Sequence, residues 1–324
     1  MFPKLLIQVR FLSGAPASSC FQVPWGNLGT KYACCASWFR FPAPYSLIGQ
    51  NMQIQSAERI KYSHNPLAEV ICQLRFADQI DLSKGVDESI VEQCHAAGYS
   101  EFSEETAFNV TIEVSHEPTV GMEPRSSSAA MRSFRFSTSD GHWQLVLFHD
   151  SLSLVCTNYS AWEDFLPRLV DAVGMFSRAY PGLVSNRLGL RYKDLIEREP
   201  LGLDGVPWCE LIEPFMLGPL ALGSLADGQK TEDAHVGLFV CQTAIRLDIC
   251  NLVLQSSLLR STDLAKVAFL IDADFFHDQD VSDELFVNSD VLVTQIEALH
   301  KSAGALFRRS ITEKLHNALS PISI

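Results

Sequence analysis

The stretch FRFSTSDGHWQLVLFHDSLSLVC, residues 134–156, decides the fold. Phe134 and Phe136 alternate with polar residues ahead of Asp140-Gly141. Trp143, Leu145 and Leu147 alternate after it, and Leu152, Leu154 and Cys156 follow Asp150-Ser151. A two-residue period turns one face of each segment to a core and leaves the other polar. Asp-Gly between such segments is a strong hairpin signal, because both central positions of the tight turn need positive φ. The pattern predicts a three-stranded antiparallel meander.

Working outward, Leu67–Phe76 follows Asn65-Pro66 and alternates in the same way. Glu69, Gln73 and Arg75 share one parity; Val70, Cys72, Leu74 and Phe76 share the other. Helical spacing over 86–97 places Val86, Ile90, Val91 and Cys94 on one side, with Gly98 as the stop. Residues 107–114 alternate again, and 115–130 read as a loop through Pro118, Gly121, Pro124 and three serines. A helix is predicted over 161–180, with Ser160 and Glu163 at capping-box spacing and Pro167 near its first turn. Val184–Ile196 reads as a strand with Leu188, Leu190 and Tyr192 on one face and Arg187, Gly189, Arg191 and Lys193 on the other.

Residues 198–233 are rich in Gly, Pro and acids and read as a connector, with a short helix near 208–215. Strands are expected at 235–249, 252–258 and 266–276, and a last helix from about Asn288 toward Leu319. The order hairpin, strand, long helix thus occurs twice. The fold class is α+β: antiparallel sheet with long helices on one face, and a duplicated unit as one reading. The expected divisions are 52–197, a connector at 198–233, and 234–324.

Residues 1–51 are different material. They hold Lys4, Arg10, Lys31 and Arg40 and no Asp or Glu, leaving 38 acids against 21 bases, a net charge of −17, for residues 52–324. The favoured reading is a mis-assigned, non-native extension with Met52 as the start; a targeting segment and a genuine appendage are the alternatives. Leu5–Leu12 is interrupted by Gln8 and Arg10, unlike the apolar core of a secretory signal. No apolar run approaches the ~20 residues of a membrane span. The acidic balance disfavours a general nucleic-acid binder, which needs clustered Lys and Arg. Past Met52 the six cysteines, Cys72, Cys94, Cys156, Cys209, Cys241 and Cys250, form no CxxC pair. Buried free thiols and a cytoplasmic location are expected.

Two groups of residues can carry chemistry. Asp272 and Asp274, two apart on a predicted strand, project to one face, and His277 follows in an acidic run that includes Asp278, Asp280, Asp283 and Glu284. Two carboxylates and an imidazole suit Mg²⁺ or Mn²⁺, against the plainer reading of an acidic strand end running into solvent. Arg187, Arg191 and Lys193, with Arg75 nearby, form a row suited to phosphate or carboxylate; the plainer reading is pairing with the chain's own acids. There is no HExxH, Walker A loop, G-x-G-x-x-G or G-x-S-x-G, and no cofactor is implied.

Asn65-Pro66-Leu67-Ala68-Glu69-Val70-Ile71-Cys72-Gln73-Leu74-Arg75-Phe76 resembles the opening signature of a sporadically distributed, largely uncharacterised family of bacterial proteins. Arg187-Leu188-Gly189-Leu190-Arg191-Tyr192, Ile271-Asp272-Ala273-Asp274 and the terminal Phe307…Ile311-Thr312-Glu313 are similar to it as well. The resemblance covers about 52–319 and supports Met52 as the start. The family pattern more often has Asn where this chain has Lys193 or Asp194. The resemblance implies no activity and supplies no catalytic residues. The expectation is a cytoplasmic bacterial binding or protein-interaction module, with a protein partner or self-association, in a toxin–antitoxin or phage-defence setting. The alternative is a metal-dependent enzyme acting on a phosphate-bearing substrate, with Asp272 and Asp274 at the metal and Arg191 at the anion.

Overall fold

Alternation along Leu67–Phe76 is realised residue by residue: Val70, Cys72, Leu74 and Phe76 are buried, and the intervening side chains are partly exposed. This strand stands at the middle of the fold. A computed structural model describes residues 5–12, 21–22, 52–114, 125–221, 233, 236–261, 266–278, 281 and 284–323, with backbone alone at 5–12, 21–22 and 106–131. Its strands are β1 (Leu5–Leu12), β2 (Phe21–Gln22), β3 (Ile60–Tyr62), β4 (Leu67–Phe76), β5 (Glu101–Val114), β6 (Arg125–Ser137), β7 (Trp143–Phe148), β8 (Ser151–Cys156), β9 (Ser185–Glu197), β10 (Val240–Arg246), β11 (Asn251–Ser261), β12 (Val267–His277) and β13 (Pro321–Ser323). The helices are α1 (Glu88–Ala96), α2 (Trp162–Ala179), α3 (Pro214–Leu217), α4 (Ser289–Ser310) and α5 (Glu313–Ala318).

One antiparallel sheet runs in the order β1-β5-β6-β7-β8-β4-β9-β12-β11-β10, with β2 paired to the far end of β11. The α+β architecture therefore has one main sheet, to which both expected units contribute, with β13 and β3 paired antiparallel as a separate two-stranded sheet. Its topology is an internal repeat. In the first half, β4 leads through α1 into the meander β5 to β8 and then α2, and β8 returns to pair with β4. In the second half, β9 leads through α3 into the meander β10 to β12 and then α4, and β12 returns to pair with β9. The two opening strands, β4 and β9, pair with each other and join the halves. The second half thus begins with β9, ahead of the connector at 198–233.

All five helices bury side chains in one apolar cluster on one face of the sheet. On α4 the stripe is Leu292, Ile296, Leu299, Ala303 and Leu306, the 3–4 spacing of a helix with one buried side. Phe134, Phe136, Phe165, Phe176, Phe269 and Phe275 are fully buried there, each contributing about 1.5–3 kcal/mol of transfer free energy. Val146 and Phe148, with Val155, form a small second cluster on the reverse face.

Several local expectations are corrected. The Asp140-Gly141 connection is a five-residue loop, 138–142, in which Gly141 alone has positive φ (+72°). The Gly141 backbone N–H closes a turn on the Thr138 carbonyl at 2.8 Å, and the Asp140 carboxylate accepts from the His142 backbone N–H at 3.0 Å. The capping box does not form. Ala161 is the N-cap of α2, the Ser160 hydroxyl donates to Asp164, and Glu163 pairs with Arg59. β6 starts at Arg125, so the serine run expected in a loop is strand. The last helix breaks at Ile311, which bridges to Ile212, while the Thr312 N–H donates to the Leu211 carbonyl at 2.9 Å. Thr312 then caps α5. Most of 1–51, the expected loop over 115–124, His235, and Asp280 and Asp283 of the acidic run lie outside the described residues.

Candidate functional site

Directly opposite residues on antiparallel strands share a face. On the face away from the helices, one row therefore runs Glu69, Lys193, Asp272, Gln255, Gln242 across β4, β9, β12, β11 and β10. The next row runs Ile71, Arg191, Asp274, Val253, Ala244. The cations do not all bond straight across. Arg191 reaches diagonally to Asp272, with Nε to Oδ1 at 2.6 Å and Nη2 to Oδ2 at 2.5 Å. Arg187 reaches past Gly189 to Asp274, with Nη2 to Oδ2 at 2.8 Å, and lies over the Phe276 ring at 4.3 Å from its centroid. Lys193 pairs with Glu69, and Arg75 with Asp150 at 3.1 Å. The result is a ladder of four cation–carboxylate pairs centred on the β4–β9 junction between the halves.

Sequence and geometry meet at Gly189. A Cβ there would stand 2.4 Å from the Arg187 Nη1 and 3.0 Å from Cζ. The missing side chain is the space the guanidinium occupies on its way to Asp274. The two inner pairs are well removed from solvent, the Arg191 and Asp272 side chains being 11% and 6% exposed, while Arg75 and Glu69 of the outer pairs are part-exposed. A small hollow beside them is lined by Arg191, Gln242, Val253, Gln255, Asp272 and Asp274.

The expected anion-binding residues Arg75, Arg187 and Arg191 do share this face, and each is paired with an acid of the chain itself. The expected metal ligands are not brought together. Asp272 and Asp274 are taken up by Arg191 and Arg187, whereas His277 continues the alternation of Ile271, Ala273 and Phe275 and stands opposite core-facing Leu188 on the helix side. Among the described residues, no group of three or more His, Cys, Asp and Glu side chains is placed to hold a metal ion. The acids Glu69 and Asp150 completing the ladder were not anticipated. Asp150 carries no local signal, since its partner is 75 residues away in the chain.

A second polar group, also missed, lies on the helix side. Tyr192 of β9 shares a hydrogen bond with His300 Nδ1 of α4 at 2.8 Å. The imidazole stacks on Trp162 of α2, centroids 4.1 Å apart and planes 3° from parallel. Burial, reinforced by the charge of Arg59, lowers the His300 pKa to about 4, so the ring is neutral at ordinary pH. Two positions along β9 from Tyr192, Asp194 is buried, and desolvation with the nearby Asp272 charge raises its pKa to about 8. Tyr62 of β3 bonds His316 Nδ1 of α5 at 2.9 Å, and burial raises the phenol pKa to about 12. These groups tie β3, β9, α2, α4 and α5 together.

Comparison with protein-family models, with curated proteins and with solved structures finds no match to this chain.

Proposed function

We propose that this chain is a protein-interaction module whose contact surface is built on the helix-free face of the sheet, around Arg187, Arg191, Asp272 and Asp274. The observation behind this reading is the ladder. Its four acids and four bases balance locally in a chain of net charge −13, so this face does not repel an acidic or a basic protein as the rest of the surface would repel an acid. Its side chains are already held by their pairing, which lowers the entropy lost on docking. The acidic balance outside the ladder speaks against nucleic acid as the partner.

The metal-dependent reading has less behind it, because Asp272 and Asp274 are each committed to a guanidinium and His277 faces the other way. The test is native purification of the full chain from the cells that make it, alongside an Arg191→Ala/Asp272→Ala variant. The reading expects a stoichiometric protein with the wild type and its loss with the variant. Recovery of no such protein, or equal recovery with both, contradicts it.

A further inference from the structure

The chain ahead of β4 is tied to the rest of the molecule at a few points near its surface. The Asp248 N–H donates to the Met52 carbonyl at 3.1 Å, Arg309 donates to the Gln55 carbonyl and side chain at 3.0 and 2.7 Å, and Arg59 pairs with Glu163 where both are exposed. A short clip follows. Ile60, Lys61 and Tyr62 of β3 pair with Ser323, Ile322 and Pro321 of β13. The Ser63 and His64 N–H groups then donate to the Ser320 and Leu319 carbonyls at 3.0 and 3.1 Å. All three residues of β13 are exposed. Tyr62 is packed against the core, edge-on to Phe307 with ring centroids 5.7 Å apart.

Asp194 of β9 lies at this seam. The Leu195 N–H donates to the Pro66 carbonyl at 2.8 Å, so the chain leaving the clip is laced to β9 beside it. Burial raises the Tyr62 phenol pKa, and the charges of Asp194 and Glu313 add to the rise against that of Arg308. Asp194 is 5% exposed, and its carboxyl has no hydrogen bond or ion pair to another described residue. A carboxylate in that position is costly until water reaches it. Opening a few hydrogen bonds of a short surface clip admits water at less cost than opening the sheet. We infer that the β3–β13 clip is a proton-linked cover: it is latched over Asp194 as the neutral acid, and its opening releases that proton to water. The other titratable and charged groups at the seam are Tyr62 on β3, Arg308 on α4, Glu313 and His316 on α5, Tyr192 on β9, and Asp272, which is paired with Arg191 on the opposite face of the sheet. Burial holds the two phenols protonated, and the bond to Arg308 holds Glu313 charged. This device is separate from the helix-free face and does not depend on it.

Hydrogen exchange of the full chain, followed by mass spectrometry from about pH 5.5 to 9 and corrected for the intrinsic rate, reads the clip directly. The closed clip holds the proton up to about pH 8, whereas the opened one releases it near ~3.9. Protection of residues 60–64 should therefore fall about tenfold per pH unit up to about pH 8 and level off above it. These amides should exchange faster than those of β4 throughout, as a local opening requires. Asp194→Asn has no proton to release and leaves every other group at the seam in place, so its clip protection should not vary with pH. Tyr62→Ala, which lets water to Asp194 in the closed state, should level off at a lower pH than the wild type. Wild-type protection that is indifferent to pH overturns the inference, as does an Asp194→Asn variant that keeps the wild-type slope. Clip amides no faster than those of β4 would assign the opening to the whole chain and overturn it as well.

Discussion

Arg191 grips both carboxylate oxygens of Asp272, at 2.6 and 2.5 Å, although the residue directly across the β9–β12 ladder from it is Asp274. The diagonal choice leaves Asp274 to Arg187 and links strand registers that would otherwise pair independently. A single buried pair of this kind offers little net stability, because desolvation offsets attraction, but removing one member strands the other. Arg191→Ala is therefore expected to cost about 3–5 kcal/mol in urea denaturation. The apolar double replacement Arg191→Met/Asp272→Leu is expected to be much milder. Equal losses from the single and double variants would refute the coupling.

Gly189→Ala tests the passage of Arg187. The added Cβ meets the guanidinium rather than backbone, so the arginine must leave Asp274 or the strand must shift. A loss of about 1–3 kcal/mol is expected from such overpacking. In an Arg187→Ala background the same substitution should cost little. A full-sized loss in both backgrounds would mean that the glycine serves the backbone and not the arginine.

Asp194 gives the pH dependence a definite sign. The folded chain holds its carboxyl proton up to about pH 8, whereas the unfolded chain releases it near ~3.9. Between those values folding binds a proton, so this group's contribution is full at the acid end and is lost as pH rises toward 8. Asp194→Asn should flatten that slope, so that the stability difference between variant and wild type grows in the variant's favour with rising pH. Denaturation midpoints across the neutral range measure it; parallel curves would contradict the assignment.

His300 acts in the opposite direction. Its folded pKa of about 4 lies below the unfolded value near ~6.5, so stability declines as pH falls from the latter to the former. The imidazole resonances of His300 should show no titration above about pH 5, and Trp162→Ala, which removes the stacked ring and opens the site, should raise its midpoint. A His300 midpoint in the ordinary histidine range would contradict the buried, neutral ring.

The parts of the fold carried by alternation were legible from the chain. β4 was predicted to its terminal residues and β12 to within one, because a period of two is set by neighbours in sequence. What failed was decided by distant residues. Ile311 leaves the helix because a backbone bridge to Ile212, ninety-nine positions back, is available to it. The metal reading took His277 as near Asp272 and Asp274, but the strand continues one residue further and keeps His277 in the opposite alternation. The acids that complete the ladder could not be assigned from sequence. Which carboxylate an arginine takes depends on strand order, and β9 lies between β4 and β12 only once the halves join.

The contact surface itself is tested most directly by site-specific photo-cross-linking in living cells. A photoreactive residue at Glu69, on the helix-free face, is compared with one at Lys301, which is 78% exposed on α4. The account predicts a discrete adduct with another protein from position 69, abolished by Arg191→Ala/Asp272→Ala, and none from position 301. An adduct from position 301 alone, or one at position 69 that survives the double substitution, would contradict it.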